Sequence, residues 1–163
     1  MSQLSLTEAI AKAYRQGNKV LICGNGGLAA ESEHFAAELV GKYGRDVFIP
    51  ALSLTCPSSL ITALANDIGY ELIFAHQVSV IGNKGDIFIG LTTSKSGAIM
   101  KAAQMAECKG MISFVFHRDN LAGDDVAEKQ ETVLRILHRA AREAKELIYE
   151  DPLYQPEQSE SSR

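Results

Sequence analysis

The sequence predicts an α/β protein, a three-layer sandwich in which a mostly parallel sheet lies between helices. Three observations predict it. Short apolar, β-branched runs at 19–23, 51–55, 86–91 and 111–116 have the composition of strands covered on both faces. Helical patterns separate these runs, as the long crossovers between parallel strands require. Two polar loops, Gly24-Asn25-Gly26-Gly27 and Thr92-Thr93-Ser94-Lys95-Ser96-Gly97, follow strands, and ligands of such sheets sit beyond the carboxyl ends of the strands.

The elements follow in order. Ser5-Leu6-Thr7-Glu8 has capping-box spacing and starts a helix over about 6–16 that stops at Gly17. Lys19 to Cys23 is the first strand, and the glycines turn it into a helix over about 28–42. Ala51 to Thr55 is the second strand, with helical patterns at 58–66 and 70–81 behind it. Asp86 to Leu91 is the third, and a helix runs from the hydroxyl loop to about Lys109. Met111 to Phe116 is the fourth, and 117–126 reads as a polar loop. A long helix over 127–149 carries Val133, Leu137, Ala140, Ala144 and Leu147 or Ile148 at i, i+3/i+4 spacing, a stripe that needs a partner surface and, in a domain of modest size, suggests burial against other subunits. The stretch 151–163 is polar and aperiodic, so residues 1–150 form a single domain with a polar tail.

Composition narrows the function classes. At 163 residues, 46% hydrophobic and 22% charged, the chain is long enough to bury a real core. A formal charge of −4 gives no basic surplus to draw a nucleic acid. Three scattered cysteines, Cys23, Cys56 and Cys108, suggest neither a disulfide framework nor a thiolate metal site and fit a reducing compartment. The N-terminal residues lack the pattern of a secretory signal, and no apolar run approaches the roughly 20 residues of a membrane span. A cytoplasmic protein with no membrane contact is the expectation.

Several residues stand out chemically. Asn25, Gly26 and Gly27 let backbone approach a ligand, and the helix behind them offers free N–H groups to an anion; a tight strand-to-helix turn explains the same glycines. The motif meets neither the dinucleotide nor the nucleoside-triphosphate fingerprint. Thr92, Thr93, Ser94 and Ser96 place four hydroxyls before another helix N-terminus, which suits a phosphate ester, whereas an N-cap needs one. His34 and Glu38, at i and i+4, share a helix face, either as a surface hydrogen bond or as a metal-binding or acid/base pair. His138 lies beside the stripe of the last helix with Gln130 eight residues earlier, and an isolated histidine there also suits a core or interface.

With these residues in place, the chain resembles the sugar isomerase (SIS) domain and, within it, the sedoheptulose-7-phosphate isomerases, or phosphoheptose isomerases. The resemblance runs in order through CGNGG (23–27), HFAAELVGKY (34–43), the segment 60–78 containing Asn66-Asp67, GDIFIGLTTSKS (85–96), KAAQMAECKGM (101–111) and Gln130-Glu131 followed by His138. It implies a SIS-domain sandwich, flavodoxin-like or Rossmann-like, and conversion of sedoheptulose 7-phosphate to D-glycero-D-manno-heptose 7-phosphate in heptose biosynthesis, through an enediol. By the same resemblance, Glu38 is the base and His138 its acid/base partner. His34, Glu38, Gln130 and His138 are the ligands of one Zn2+ per subunit. Asn25, Gly26, Gly27, Asn66, Asp67, Thr92, Thr93, Ser94, Ser96 and Gln130 bind the sugar phosphate, and the assembly is a homotetramer. A non-catalytic SIS module that binds a phosphosugar or a protein partner, as the replication-initiator-binding relatives do, is the alternative. The chain departs from the family pattern at Leu28, where a serine is usual, at Lys95 in a shortened hydroxyl loop, and at Lys42, where an arginine is common. It is also shorter than that pattern between Met111 and Gln130, by about a strand and its loop.

Overall fold

The computed structural model describes residues 4–154. Helix α1 (Leu6–Arg15) opens on the capping box: the Ser5 hydroxyl accepts the Glu8 N–H while the Glu8 carboxylate accepts that of Ser5. Then come β1 (Val20–Gly24), α2 (Gly27–Val40), β2 (Ala51–Ser53), α3 (Ser58–Asp67), a single 3-10 turn at Tyr70–Leu72 and α4 (Ile73–Ile81). The chain continues through β3 (Ile87–Leu91), α5 (Gly97–Cys108), β4 (Ile112–Phe116), a second 3-10 turn at Arg118–Asn120 and α6 (Val126–Tyr149). The second strand is shorter than its apolar run, because Thr55 leaves the ladder and turns its hydroxyl to Ser53 and Glu33. The polar loop after β4 contains the second 3-10 turn, capped by the His117 side chain.

The four strands are all parallel, in the order β2-β1-β3-β4. Helices α1, α2 and α6 share one core with Val20, Ile22, Ile87 and Ile89, and Leu21, Cys23 and Phe88 point into the other with α3, α4 and α5. The alternation of neighbouring strand residues between two cores is what a strand covered on both faces requires. β1 and β3 are buried throughout; every residue of the edge strand β4 is half-buried.

The stripe on α6 finds its partner within the chain. Val133, Leu137, Ala140, Ala144 and Ile148 are at most 3% exposed and belong to the core containing Ile10 of α1 and Phe35 and Leu39 of α2. The stripe therefore gives no argument for a subunit contact; Leu147 alone of the residues named for it stays exposed. The start of the expected tail is tied down as well. Asp151 pairs with Arg15 at 2.6 Å, and the Tyr154 hydroxyl donates to the Asp46 carbonyl at 3.0 Å. Residues 155–163 of that tail lie outside the described residues.

Register sets where the loops emerge. Gly24 of β1 is level with Leu91 of β3, which is level with Phe116 of β4. The glycine loop, the hydroxyl loop and the His117–Asn120 turn thus leave neighbouring strands on one rim.

Candidate functional site

At the glycine loop the backbone does what side chains would obstruct. Gly26, at φ +59°, caps α2, a conformation costly for any residue with a Cβ. Gly24 passes so close to the next turn that a Cβ there would lie 2.4 Å from the Leu28 carbonyl oxygen. Leu28, where the family pattern has a serine, turns into the core at 2% exposure and so packs beneath the loop.

Behind the loop, α2 runs alongside α6 in the same direction. The sequence Gly27, Glu31, His34, Glu38, Gly41 advances by four, three, four and three residues, which is one stripe of a helix. Three contacts pin this stripe to α6. A Cβ on Gly27 would lie 3.0 Å from the Gln130 amide nitrogen, His34 and Glu38 meet His138, and the Lys145 ammonium donates to the Gly41 carbonyl at 2.6 Å. Lys145 is fully buried, and that burial holds its pKa below the usual lysine value against the opposing pull of Glu38 and Asp46.

The middle contact is a compact triangle. His34 Nε2 lies 3.0 Å from Glu38 Oε1, His138 Nε2 lies 3.0 Å from the same oxygen, and the two imidazole nitrogens are 3.1 Å apart. Tyr43 stacks on the His138 ring at 5.9 Å between centroids. Glu38 is buried, and its other oxygen, Oε2, has no hydrogen-bond partner. His34, Glu38 and His138 form a group whose donor atoms all lie within 4.8 Å of one another, able to hold a metal ion. Tetrahedral zinc with bonds of about 2.0–2.1 Å to nitrogen and oxygen spaces its donors by roughly 3.3 Å, so the triangle needs little movement to accept one.

The second part of the site is the hydroxyl loop. A cleft of about 900 Å³ is lined by residues 92–97, Met100, His117, Arg118 and Asp119. Thr92 and Ser96 are already bonded: the Thr92 hydroxyl donates to the Ser94 carbonyl at 2.8 Å, and the Ser96 hydroxyl accepts the Ile99 N–H as the α5 cap. Thr93, Ser94 and Lys95 border the open cleft. Asn25 ties this loop to the glycine loop, donating to Ser96 Oγ at 2.9 Å while its own carbonyl oxygen accepts the Tyr70 hydroxyl at 2.9 Å.

Of the residues singled out in the sequence, His34, Glu38 and His138 converge. Gln130 lies on the same seam at the loop end, about 12 Å along the helix from His138 at 1.5 Å per residue. Asn25, Gly26 and Gly27 connect that seam to Thr92–Ser96. Asn66 and Asp67 stay exposed at the end of α3, where the Asn66 amide donates to Asp67. Four residues escaped notice. Glu31 sits on the α2 stripe with a buried, unpartnered Oε2, and burial pushes its carboxyl up to about 6 against the pull of His34. Its spacing to His34 and Glu38, three and seven residues, was a signal for it. Tyr43 ends the HFAAELVGKY motif, whereas nothing local points to Lys145 or Arg118.

A family model described as the SIS domain matches residues 4–115. A phosphoheptose isomerase of Roseiflexus sp. (strain RS-1) is 42% identical over 113 residues, covering 69% of this chain and 57% of its own length. A phosphoheptose isomerase of Campylobacter jejuni subsp. jejuni serotype O:6 is 36% identical over 146 residues, covering 80% and 78%. Among solved structures, a phosphoheptose isomerase from Francisella tularensis superposes with a TM-score of 0.81 at 29% identity, covering 86% of this chain and 83% of that one. The chain thus spans little more than half of the Roseiflexus relative.

Proposed function

The chain belongs to the SIS-domain family and, within it, to the phosphoheptose isomerases, and from that premise we propose that it interconverts sedoheptulose 7-phosphate and D-glycero-D-manno-heptose 7-phosphate. The observation that carries the reading is the meeting of Glu38 with His138 at 3.0 Å, from helices far apart in the chain.

In this reading the two oxygens of Glu38 have different tasks. Oε1 faces the imidazoles, and Oε2, buried without a partner, is free to take the proton from C1 of the ketose. Loss of that proton gives the enediol. Its return to C2, with the O1 hydrogen moved to O2 by way of His138, leaves the aldose, so no external oxidant or reductant enters. The phosphate sits in the cleft at the α5 N-terminus, against Thr93 and Ser94, with Thr92 and Ser96 holding the loop. The sugar spans from there past Asn25, Gly26 and Gly27 to the seam.

The metal in this proposal is zinc, held by His34, Glu38 and His138; Gln130, whose amide lies against Gly27 at the loop end, would join them only by turning its side chain along the seam. Support comes from the donor triangle, in which Glu38 Oε1 and the two imidazole nitrogens converge beside a buried carboxylate that a cation would stabilise. When bound, such an ion supplies polarisation of the carbonyl and charge stabilisation at the enediol oxygens.

A homotetramer in the cytoplasm completes the proposal. Leu60, Ile68 and Leu72 on and after α3 and Val80 on α4 are exposed apolar side chains suited to a subunit contact, and Asn66 and Asp67 enter the proposal only through such a contact. The described cysteines are free. The non-catalytic alternative gains no support, since a binding module has no use for a converged carboxylate and imidazole.

The test is direct. Protein supplied with zinc and sedoheptulose 7-phosphate should form the aldose, followed by NMR, and Glu38→Gln should abolish it. Absence of turnover that depends on Glu38 rejects the activity. Light scattering after size exclusion checks assembly.

A further inference from the structure

We propose that Glu31 is a positioning residue of the metal centre, accepting the Nδ1 hydrogen of His34 so that the Nε2 lone pair faces the ion. This rests on the reading of the triangle as a metal site.

Three observations converge on it. First, Glu31 lies one turn before His34 and two turns before Glu38 on the α2 stripe, at the level between the Gln130 contact and the His138 contact. Second, buried side-chain oxygens without a partner are few among the described residues, namely Glu31 Oε2, Glu38 Oε2 and Ser113 Oγ. Two of the three are carboxylates flanking the same histidine. Third, His34 commits Nε2 to Glu38 and His138, while its Nδ1 has no partner among the described residues.

The chemistry requires such an acceptor. A metal-binding imidazole is neutral, so a histidine that gives Nε2 to the ion must carry its hydrogen on Nδ1. That N–H is nearly always held by a carboxylate, carbonyl or water, which fixes ring orientation and raises ligand basicity. Glu31 is the carboxylate on the His34 side of the seam with an oxygen to spare. An unpaired buried carboxylate is otherwise a cost to the fold, since its desolvation is uncompensated. Its presence here is accounted for by the loaded state.

The opposite effects on fold and on binding give the test. Full-length wild type, Glu31→Leu, Glu31→Gln and His34→Ala are titrated with zinc alone against a chromophoric chelator, and the metal-free proteins are melted in parallel. Glu31→Leu should weaken zinc binding 10- to 100-fold while leaving the melting temperature of the metal-free protein equal or higher. Glu31→Gln, which keeps an acceptor oxygen, should lose less. Wild-type zinc affinity in Glu31→Leu overturns the proposal, and so does a loss of affinity accompanied by a lower melting temperature in both Glu31 variants. If the wild type binds no zinc, or binds it as well as His34→Ala does, the metal reading itself falls and this proposal with it.

Discussion

On the α2–α6 seam three side chains from two packed helices meet within 3.1 Å, whereas the Thr92–Ser96 loop is held mostly by bonds to residues two to four positions away, with links to Asn25 and, from the Thr92 N–H, to the Phe116 carbonyl at its start. The seam is fixed by core packing on both sides: Phe35 and Leu39 of α2 and Leu137 and Ala141 of α6 are buried. The loop borders an open cleft and carries the exposed Lys95. The difference teaches where each kind of work is done. In the proposed reaction, proton transfer tolerates little displacement and would sit on helices, while recognition of a flexible phosphate ester would sit on a loop. Of the departures from the family pattern, Lys95 and the chain length after β4 fall on the loop side of the rim, whereas Leu28 and Lys42 lie at the two ends of α2; His34, Glu38 and His138 themselves are kept.

Substitutions on the two sides should therefore separate kcat from KM. The largest effect belongs to the seam. Glu38→Gln should lower kcat by about 10²–10⁴-fold with an unchanged circular dichroism spectrum; a pure KM effect would break the comparison. Next comes a control at the opposite rim. Asp86 is buried and accepts from the Lys19 ammonium at 2.5 Å, from the backbone N–H of Lys19 and Asn83, and from the Asn18 amide. Burial alone would raise its pKa, but these hydrogen bonds outweigh it and hold the carboxyl below its usual 3.8. The ionised form is thus favoured by the fold, so its contribution is present above pH 3.8 and is lost as pH falls through the depressed folded value. Asp86→Asn should cost roughly 2 kcal/mol in urea unfolding at pH 7, flatten the acid limb below about pH 4, and leave kcat alone.

Smaller effects sharpen the loop side. Ser96→Ala removes the α5 cap and the Asn25 partner, and should cost about 1 kcal/mol of stability while raising KM more than it lowers kcat. Lys95→Ala should change KM by about twofold, and the change should fade as salt is added. A large kcat loss in either variant would show that the loop takes part in the chemistry.

Much of this arrangement was legible in the sequence because it is local. Strand runs, the Ser5 capping box, the glycine turn and the i, i+4 relation of His34 and Glu38 are all properties of short windows. The pairing of α2 with α6 is not, since a stripe announces that a helix is buried without naming what buries it. For that reason the α6 stripe suggested a neighbouring subunit, and α1 and α2 proved to be the partners. Resemblance, not periodicity, brought His138 to Glu38. Glu31 was hidden by its company: in Ala-Ala-Glu-Ser-Glu-His the carboxylates at 31 and 33 look alike, and only the one in phase with His34 and Glu38 faces α6.

The two histidines of the seam are 104 residues apart in sequence. During synthesis α2 emerges well before α6, and the early half of the triangle waits, one imidazole and one carboxylate on an open helix face. In the proposed metal-bound state, capture of an ion by all three groups would therefore follow the docking of the final helix and belong to the last stage of chain closure.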